Sequence, residues 1–523
     1  QPQGTDLLWS QALAFDADGM PMIPLGITQG RSALGVILHR PAIAALGQKD
    51  VKELRLKAGT KLTFLHRSSR PAKVGYFVVA ESHKITQRPL ANRRLKYWRA
   101  LGFERAQLLP LGVQLALSGT SFDNRAVALA VQRESTLKSA EEKRLELQER
   151  YGVRSHVDAR LLRLPSGQIE LRRGKRRYEA RDRIGLRFDD DQPGAQFTVL
   201  QAHKNEVRSY RGQLEVVFDA DGHLAAVALV RSEELVAGTV PAESYASAPL
   251  EALKSQAIAA RTELLSKLGQ RHGRDPYLLC DEQDCQVYRG TEVRDPRTDR
   301  ATEATRGQLL FDTTRTTTDG HHLLAHAQYS AICGGHSEVN DAVWNQQPSP
   351  LLRGHPDGQV PAPPREDDAA LKRWLDDDNS APWCRVSSLA KPRSFRWNRM
   401  LNGAALKRVE KKLGLGRLKQ IEIVSRGVSA RVLSLKVRGE RGDITLEPEL
   451  RIRRAFGNLP SSLFVLSTKR RHGFLRELSF AGRGWGHGVG MCQMGAIGMA
   501  EAGYDHAAIL KHYYPGSAVK RVY

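Results

Sequence analysis

The sequence predicts an α+β protein of several domains. Three observations carry that reading. At 523 residues the chain is long enough for about three or four domains of roughly 100–200 residues each. Short apolar runs punctuated by Gly, Pro and Asp fill residues 1–75 and 163–238, as strands and turns do. Between them, and again after residue 249, apolar residues recur at helical spacing.

The first module, residues 1–75, is β-rich, with strand-like runs at Met22–Ile27, Ala33–Leu38 and Lys61–Leu65. Residues 76–162 alternate. Strands are expected at Tyr76–Val79, Ala106–Leu109, Arg125–Val131 and Arg154–Ala159, and helices at Leu90–Leu101 and from Ser139 to Tyr151, with Ser139 and Glu142 as a capping box. That β-α-β-β-α-β order is the ferredoxin-like pattern. It is also the order of SPOR domains, which bind glycan stripped of stem peptides.

Residues 163–523 form the third unit. Arg211–Phe218 and His223–Val230, joined at Asp221–Gly222, read as a β-hairpin. They lead to Thr239–Arg261. Leu250, Leu253, Ala257, Ile258, Leu264 and Leu265 give one helical face, with Pro249 in its first turn and Gly269 as its stop. Glu243 stands just ahead, among small residues that leave room for a ligand. Its two readings are a helix cap favoured by the dipole and a functional acid. Residues 348–379, rich in Pro and Asp, read as a surface insertion or flexible loop. Leu401–Leu413 is helical; Val432–Val437, Ile444–Leu446 and Ser462–Leu466 are strand-like; a last helix over 507–514 stops at Pro515–Gly516.

The net charge of +23 and pI near 10.0 call for a polyanionic setting. Basic residues are spread along the chain, and neither zinc-finger spacing nor an aromatic–basic ribonucleoprotein motif accompanies them, so no nucleic-acid partner is expected. No run of about 18 apolar residues occurs, so no membrane span is expected. Gln1-Pro-Gln-Gly reads equally as a processed mature end or as an artificial start. Five cysteines are too few for a disulfide scaffold in a chain this long.

Three further blocks carry chemistry. Cys280-Asp-Glu-Gln-Asp-Cys285 is followed by Gln286, Tyr288 and Arg289. The cysteine pair is open to three readings: a local disulfide, a zinc site with His272, or two unrelated thiols. Tyr329-Ser330-Ala-Ile-Cys333-Gly-Gly-His336 reads as a strand breaking into a glycine loop. Gly482-Arg-Gly-Trp485-Gly-His487-Gly-Val-Gly-Met-Cys492-Gln493 sets five glycines in its first nine residues. Ordering such a loop is entropically costly, which makes sense where backbone lies against a ligand or a catalytic loop. The Lys-Ser/Thr ending of a phosphate-gripping loop is missing.

With Val240-Pro-Ala-Glu243, these blocks in this order resemble the SpoIID/LytB family over roughly residues 210–523. The resemblance implies a periplasmic or secreted lytic transglycosylase acting on peptidoglycan glycan strands, with Glu243 as general acid/base. It implies Gln286, Tyr288, Tyr329, Ser330, Trp485, His487 and Gln493 as residues lining the substrate cleft. Some members hold a metal where Cys280 and Cys285 stand, with a His before the second Cys; here that position is Asp284. The family also includes proteins of the LytB type, which enhance a cell-wall amidase without cleaving anything. Glu251 and Glu263, on the helix, are lesser candidates for the acid. A general acid must hold its proton near neutral pH, so Glu243 is expected in a partly apolar pocket whose desolvation outweighs the dipole.

Overall fold

The computed structural model describes residues 8–10, 13–47, 51–117, 120–153, 155–188, 194–200, 202, 207–282, 285–316, 322–344 and 347–523. Helices and strands mix throughout, in several sheets with separate apolar cores.

Two large sheets share the first core. One runs in the order Ala14–Phe15, Pro21–Arg31, Leu224–Arg231, Gln213–Phe218, Arg183–Arg187, Ala42–Leu46, Lys52–Leu56, with Leu279–Cys280 added parallel to Pro21–Arg31. The other joins Arg176–Arg181, Ser166–Arg173, Lys61–Arg70, Ala33–Leu38, Phe197–Leu200 and Ser209–Tyr210. Val36, Phe64, Ile184 and Val216, from both sheets, are fully buried together. Strands before residue 75 therefore pair with strands after residue 163, and the expected boundary at 75 does not separate the sheets. Alternating side chains of both stretches need the same interior, and only pairing across the chain supplies it.

Residues 73–163 form a four-stranded antiparallel sheet in the order His156–Arg163, Lys73–Lys84, Ala126–Glu134, Gln107–Leu111, with helices Arg88–Ala100 and Leu137–Tyr151. This is the ferredoxin-like order. The second helix starts one turn earlier than expected: Thr136 caps it, accepting from the Ser139 backbone N–H at 3.1 Å. Arg154, where the last strand was expected to begin, lies outside the described residues. An arm of this module, Gln114–Leu117 and Thr120–Asp123, pairs parallel with His322–Leu324 and so joins the sheet of Gln308–Thr316 and Ser517–Arg521.

The second core packs the helices Leu250–Lys267, Gln493–Glu501 and His506–Tyr513. Pro249 is the cap of the first of these rather than part of its opening turn. Residues 348–379 are not a loose loop. They carry the helix Asp368–Asp376, whose Leu371 and Leu375 are buried, and the Trp374 indole N–H donates to Pro361 O at 3.0 Å. No helix among the described residues is long and apolar enough to cross a membrane.

Candidate active site

Glu243 is the last residue of the helix Ser232–Glu243, seven residues before the next helix begins. The sequence hid the first of these helices, because Gly238, Thr239, Val240 and Pro241 are poor helix formers. Tertiary packing overrides them: the Tyr288 ring lies so close to Gly238 that a Cβ there would approach it to 2.3 Å. The consequence for Glu243 is electrostatic. It sits at a helix C-terminus, where the dipole disfavours a carboxylate. The conflict between cap and acid therefore does not arise.

The Glu243 side chain is half-buried. Burial raises its pKa above the usual carboxylate range, against the opposing pull of the Val287 N–H, Lys267 and Arg289. That N–H, in the Cys280–Gly290 block, donates to Oε1 at 3.1 Å. Beside it, Gln286 Nε2 donates to Ala260 O at 3.0 Å and to the Tyr329 hydroxyl at 3.3 Å. Tyr329 and Ser330 pair parallel with Met491 and Cys492, and Ile332 exchanges two backbone bonds with Trp485 at 3.0 and 2.8 Å. Gln493, next along, donates from Nε2 to the Glu243 backbone carbonyl at 2.9 Å and to Gln256 Oε1 at 3.2 Å. All four motif blocks thus close a ring of contacts with Glu243 in it.

Three buried polar atoms on this ring have no partner among the described residues: Gln256 Nε2, Gln286 Oε1 and Ser330 Oγ. Unpaired buried groups are costly and mark places where water or a ligand is bound. Gln256 was missed in the sequence. The signal was there: a Gln among the apolar residues of an otherwise buried helix, 2% exposed.

Some expected roles change. Tyr288 is 2% exposed and belongs to the first core. His487 uses its ring internally. The Val489 N–H donates to Nδ1 at 3.0 Å, which places the ring proton on the other nitrogen, facing the Tyr329 carbonyl. Burial, with the Arg431 and Arg453 charges, pushes the imidazole down to about 3, so it is neutral. It packs edge-on against Trp344 at 4.8 Å, a residue the sequence did not single out. His487 therefore organises the loop. Trp485 alone of the expected cleft residues is well exposed, at 48%. His336 is buried, with Nδ1 against Ser337 O at 2.7 Å. Arg289 is exposed.

The lesser acids have other work. Glu251 binds Lys254 at 2.7 Å and His506 at 2.6 Å. Burial alone would raise its pKa, but these partners hold it at about 2, so it is no proton donor near neutrality. Glu263 faces Lys267 at 3.3 Å.

His272, Cys280 and Cys285 do converge. The sulfurs are 3.0 Å apart, and His272 Nε2 lies 3.1 Å from Cys285 Sγ. His272 Nδ1 is held by Asp275 Oδ2 at 2.9 Å, the outer carboxylate that commonly orients a ligating imidazole. Asp284 lies outside the described residues. Two thiols and an oriented imidazole suit zinc with one position left over. None of the five cysteines is disulfide-linked.

Residues 220–311 match the family model described as Stage II sporulation protein (SpoIID). Residues 338–490 match a Domain of unknown function (DUF8618). Among curated proteins, the chain is 29% identical over 301 residues to "Amidase enhancer" of Bacillus subtilis (strain 168), covering 54% of this chain and 40% of that protein. These matches support a SpoIID/LytB resemblance for this part of the chain. Another relative, an uncharacterized protein of Brachyspira hyodysenteriae (strain ATCC 49526 / WA1), is 27% identical over 290 residues, 54% of this chain and 65% of its own length. The chain thus spans less than two thirds of either relative. The SpoIID match takes in Glu243, the cysteine pair and Gln286, while the glycine loop that completes the ring falls beyond it, within and just after the second matched region.

Proposed function

We propose that this protein binds peptidoglycan glycan strands outside the cytoplasm and cleaves them without water, as a lytic transglycosylase with Glu243 as the acid/base. The observation that carries this reading is the half-buried Glu243 carboxyl, its pKa raised by burial, inside a ring built by all four family blocks. A proton held above the usual range is what a general acid needs. In the reaction Glu243 gives its proton to the glycosidic oxygen as the C1–O4 bond breaks. The resulting carboxylate takes a proton from the sugar's 6-hydroxyl, whose oxygen closes onto C1. The products are a 1,6-anhydro end and a free 4-hydroxyl, and the acid is regenerated. Gln493 and Val287 fix the acid, and Trp485 offers an aromatic face to a sugar ring. Residues 73–163, with their ferredoxin-like order, are a candidate glycan-binding module of the SPOR kind. Zinc at His272, Cys280 and Cys285 would brace the turn that presents Val287.

The name of the Bacillus subtilis relative favours a second reading. In it the same ring grips the strand and a cell-wall amidase does the cutting. One experiment separates the two. Purified sacculi and peptide-stripped strands are incubated with the protein and with its Glu243→Gln variant, and products are weighed by mass spectrometry. The enzyme reading expects anhydro-muropeptides from the unaltered chain and none from the variant, with strand binding kept. Absence of anhydro products from both, with amidase stimulation unchanged by the substitution, overturns catalysis in favour of the enhancer.

A further inference from the structure

We propose that Cys333, Cys384, Cys492 and Asp357 form a buried structural zinc site, distinct from the one at His272, Cys280 and Cys285. One ligand atom from each of the four lies within 4.8 Å of the others. All four residues are at most 1% exposed. The Cys333 and Cys384 sulfurs are 3.7 Å apart. A tetrahedral ion with Zn–S bonds of about 2.3 Å spaces its sulfurs by about 3.8 Å.

The surroundings suit thiolates and a cation. Cys492 is the N-cap of the helix Gln493–Glu501, and its sulfur accepts from the Cys333 N–H at 3.1 Å and the Gly495 N–H at 3.3 Å. Such outer donors orient and tune metal-bound sulfur. Asp357 Oδ1 accepts from the Tyr513 hydroxyl at 2.6 Å, and Oδ2 from the Cys384 N–H at 2.8 Å. Each oxygen keeps a lone pair, and among the described residues no Lys or Arg is paired with this carboxylate. A buried carboxylate beside three sulfurs, without a cation, is costly. A divalent ion removes the cost. On binding, the three thiol protons leave to solvent, and three thiolates with one carboxylate leave the ion a formal charge of −2, offset by the N–H donors and the helix terminus. Soft thiolates select zinc over magnesium or calcium, and four protein ligands leave no open position, which makes the site structural.

Four segments far apart in the chain meet here. The ion would tie the Tyr329–His336 segment and the end of the glycine loop, where Cys492 is one residue from Gln493, to the segments around Asp357 and Cys384. The test is made on the full chain carrying Cys280→Ser and Cys285→Ser, purified reduced and without chelator. It is expected to retain one equivalent of zinc through desalting. Cobalt replacement should give tetrahedral bands with thiolate charge transfer. Adding Cys384→Ser should reduce the bound metal to none. A folded protein that takes up no zinc from added ZnCl2, or a disulfide mapped between any two of Cys333, Cys384 and Cys492, overturns the site. Should the serine variants not fold, alkylation of the unaltered chain reads the same point. Peptides bearing these three cysteines should gain label together when a chelator is added; labelling indifferent to chelator counts against the site.

Discussion

At the scale of single residues, burial sets the character of Glu243. Its folded-state pKa lies above the unfolded value near 4.5, because desolvation outweighs the Val287 N–H and the nearby cations. The sign of the consequence follows. Between those two values the folded protein holds a proton that the unfolded chain has lost, so stability falls as pH rises through that window. Catalysis, which needs the protonated acid, should fall off on the same alkaline side. Gln at 243 has no proton to lose. A Glu243→Gln variant is therefore expected to be inactive yet at least as stable as the parent at neutral pH, as denaturant titration would report; a clear loss of stability would contradict the burial argument. Trp485 gives a second check. It is exposed, so Trp485→Ala should leave the melting temperature within about a degree or two while weakening strand binding about threefold to tenfold, the ~0.5–1.5 kcal/mol of an aromatic contact. Sedimentation with sacculi measures it.

At the scale of elements, the glycine loop is where sequence and structure agree most closely in intent and differ in detail. The density of glycines does reflect close approach, but to the protein's own backbone and side chains. A Cβ at Gly490, whose φ is +71°, would sit 1.9 Å from Gln328 O, and one at Gly488 2.2 Å from the Arg431 guanidinium carbon. Gly490→Ala should cost about 1–3 kcal/mol and loosen the Tyr329–Met491 pairing, seen as lower unfolding midpoint together with weaker strand binding. What was legible followed from periodicity: the Leu250–Lys267 helix, the Asp221–Gly222 hairpin and the alternation of residues 76–162. Hidden elements had no local signal. The Ser232–Glu243 helix is imposed by packing on Gly238 and Pro241, and the Asp368–Asp376 helix is masked by prolines on its approach. The burial of some candidate cleft residues was hidden for a related reason. A motif marks residues that matter, and spacing alone does not distinguish packing, as at Tyr288, from touching ligand.

At the scale of the whole molecule, the module at 73–163 has its own core and its own acid sensitivity. Burial would raise the Glu81 pKa, but hydrogen bonds from His83, Arg94 and Trp98 bring it down from 4.5 to about 2. A depressed folded value means its contribution is complete above the unfolded pKa and drains away as pH falls from about 4.5 toward about 2. Glu81→Gln should cost about 1–2 kcal/mol at neutral pH and flatten the acid limb of an unfolding curve followed by the Trp98 fluorescence. The way this module is attached carries a final consequence. It leaves the chain after Arg70 and returns before Ser166, two residues directly paired across adjacent strands, so by path alone it is a detachable insert. Yet Asn124 Nδ2 donates to three carbonyls at the far end of the Leu250–Lys267 helix, those of Leu265, Ser266 and Leu268, at 3.0, 3.0 and 3.1 Å. A load placed on the insert is therefore carried into the rod whose other end begins seven residues after Glu243.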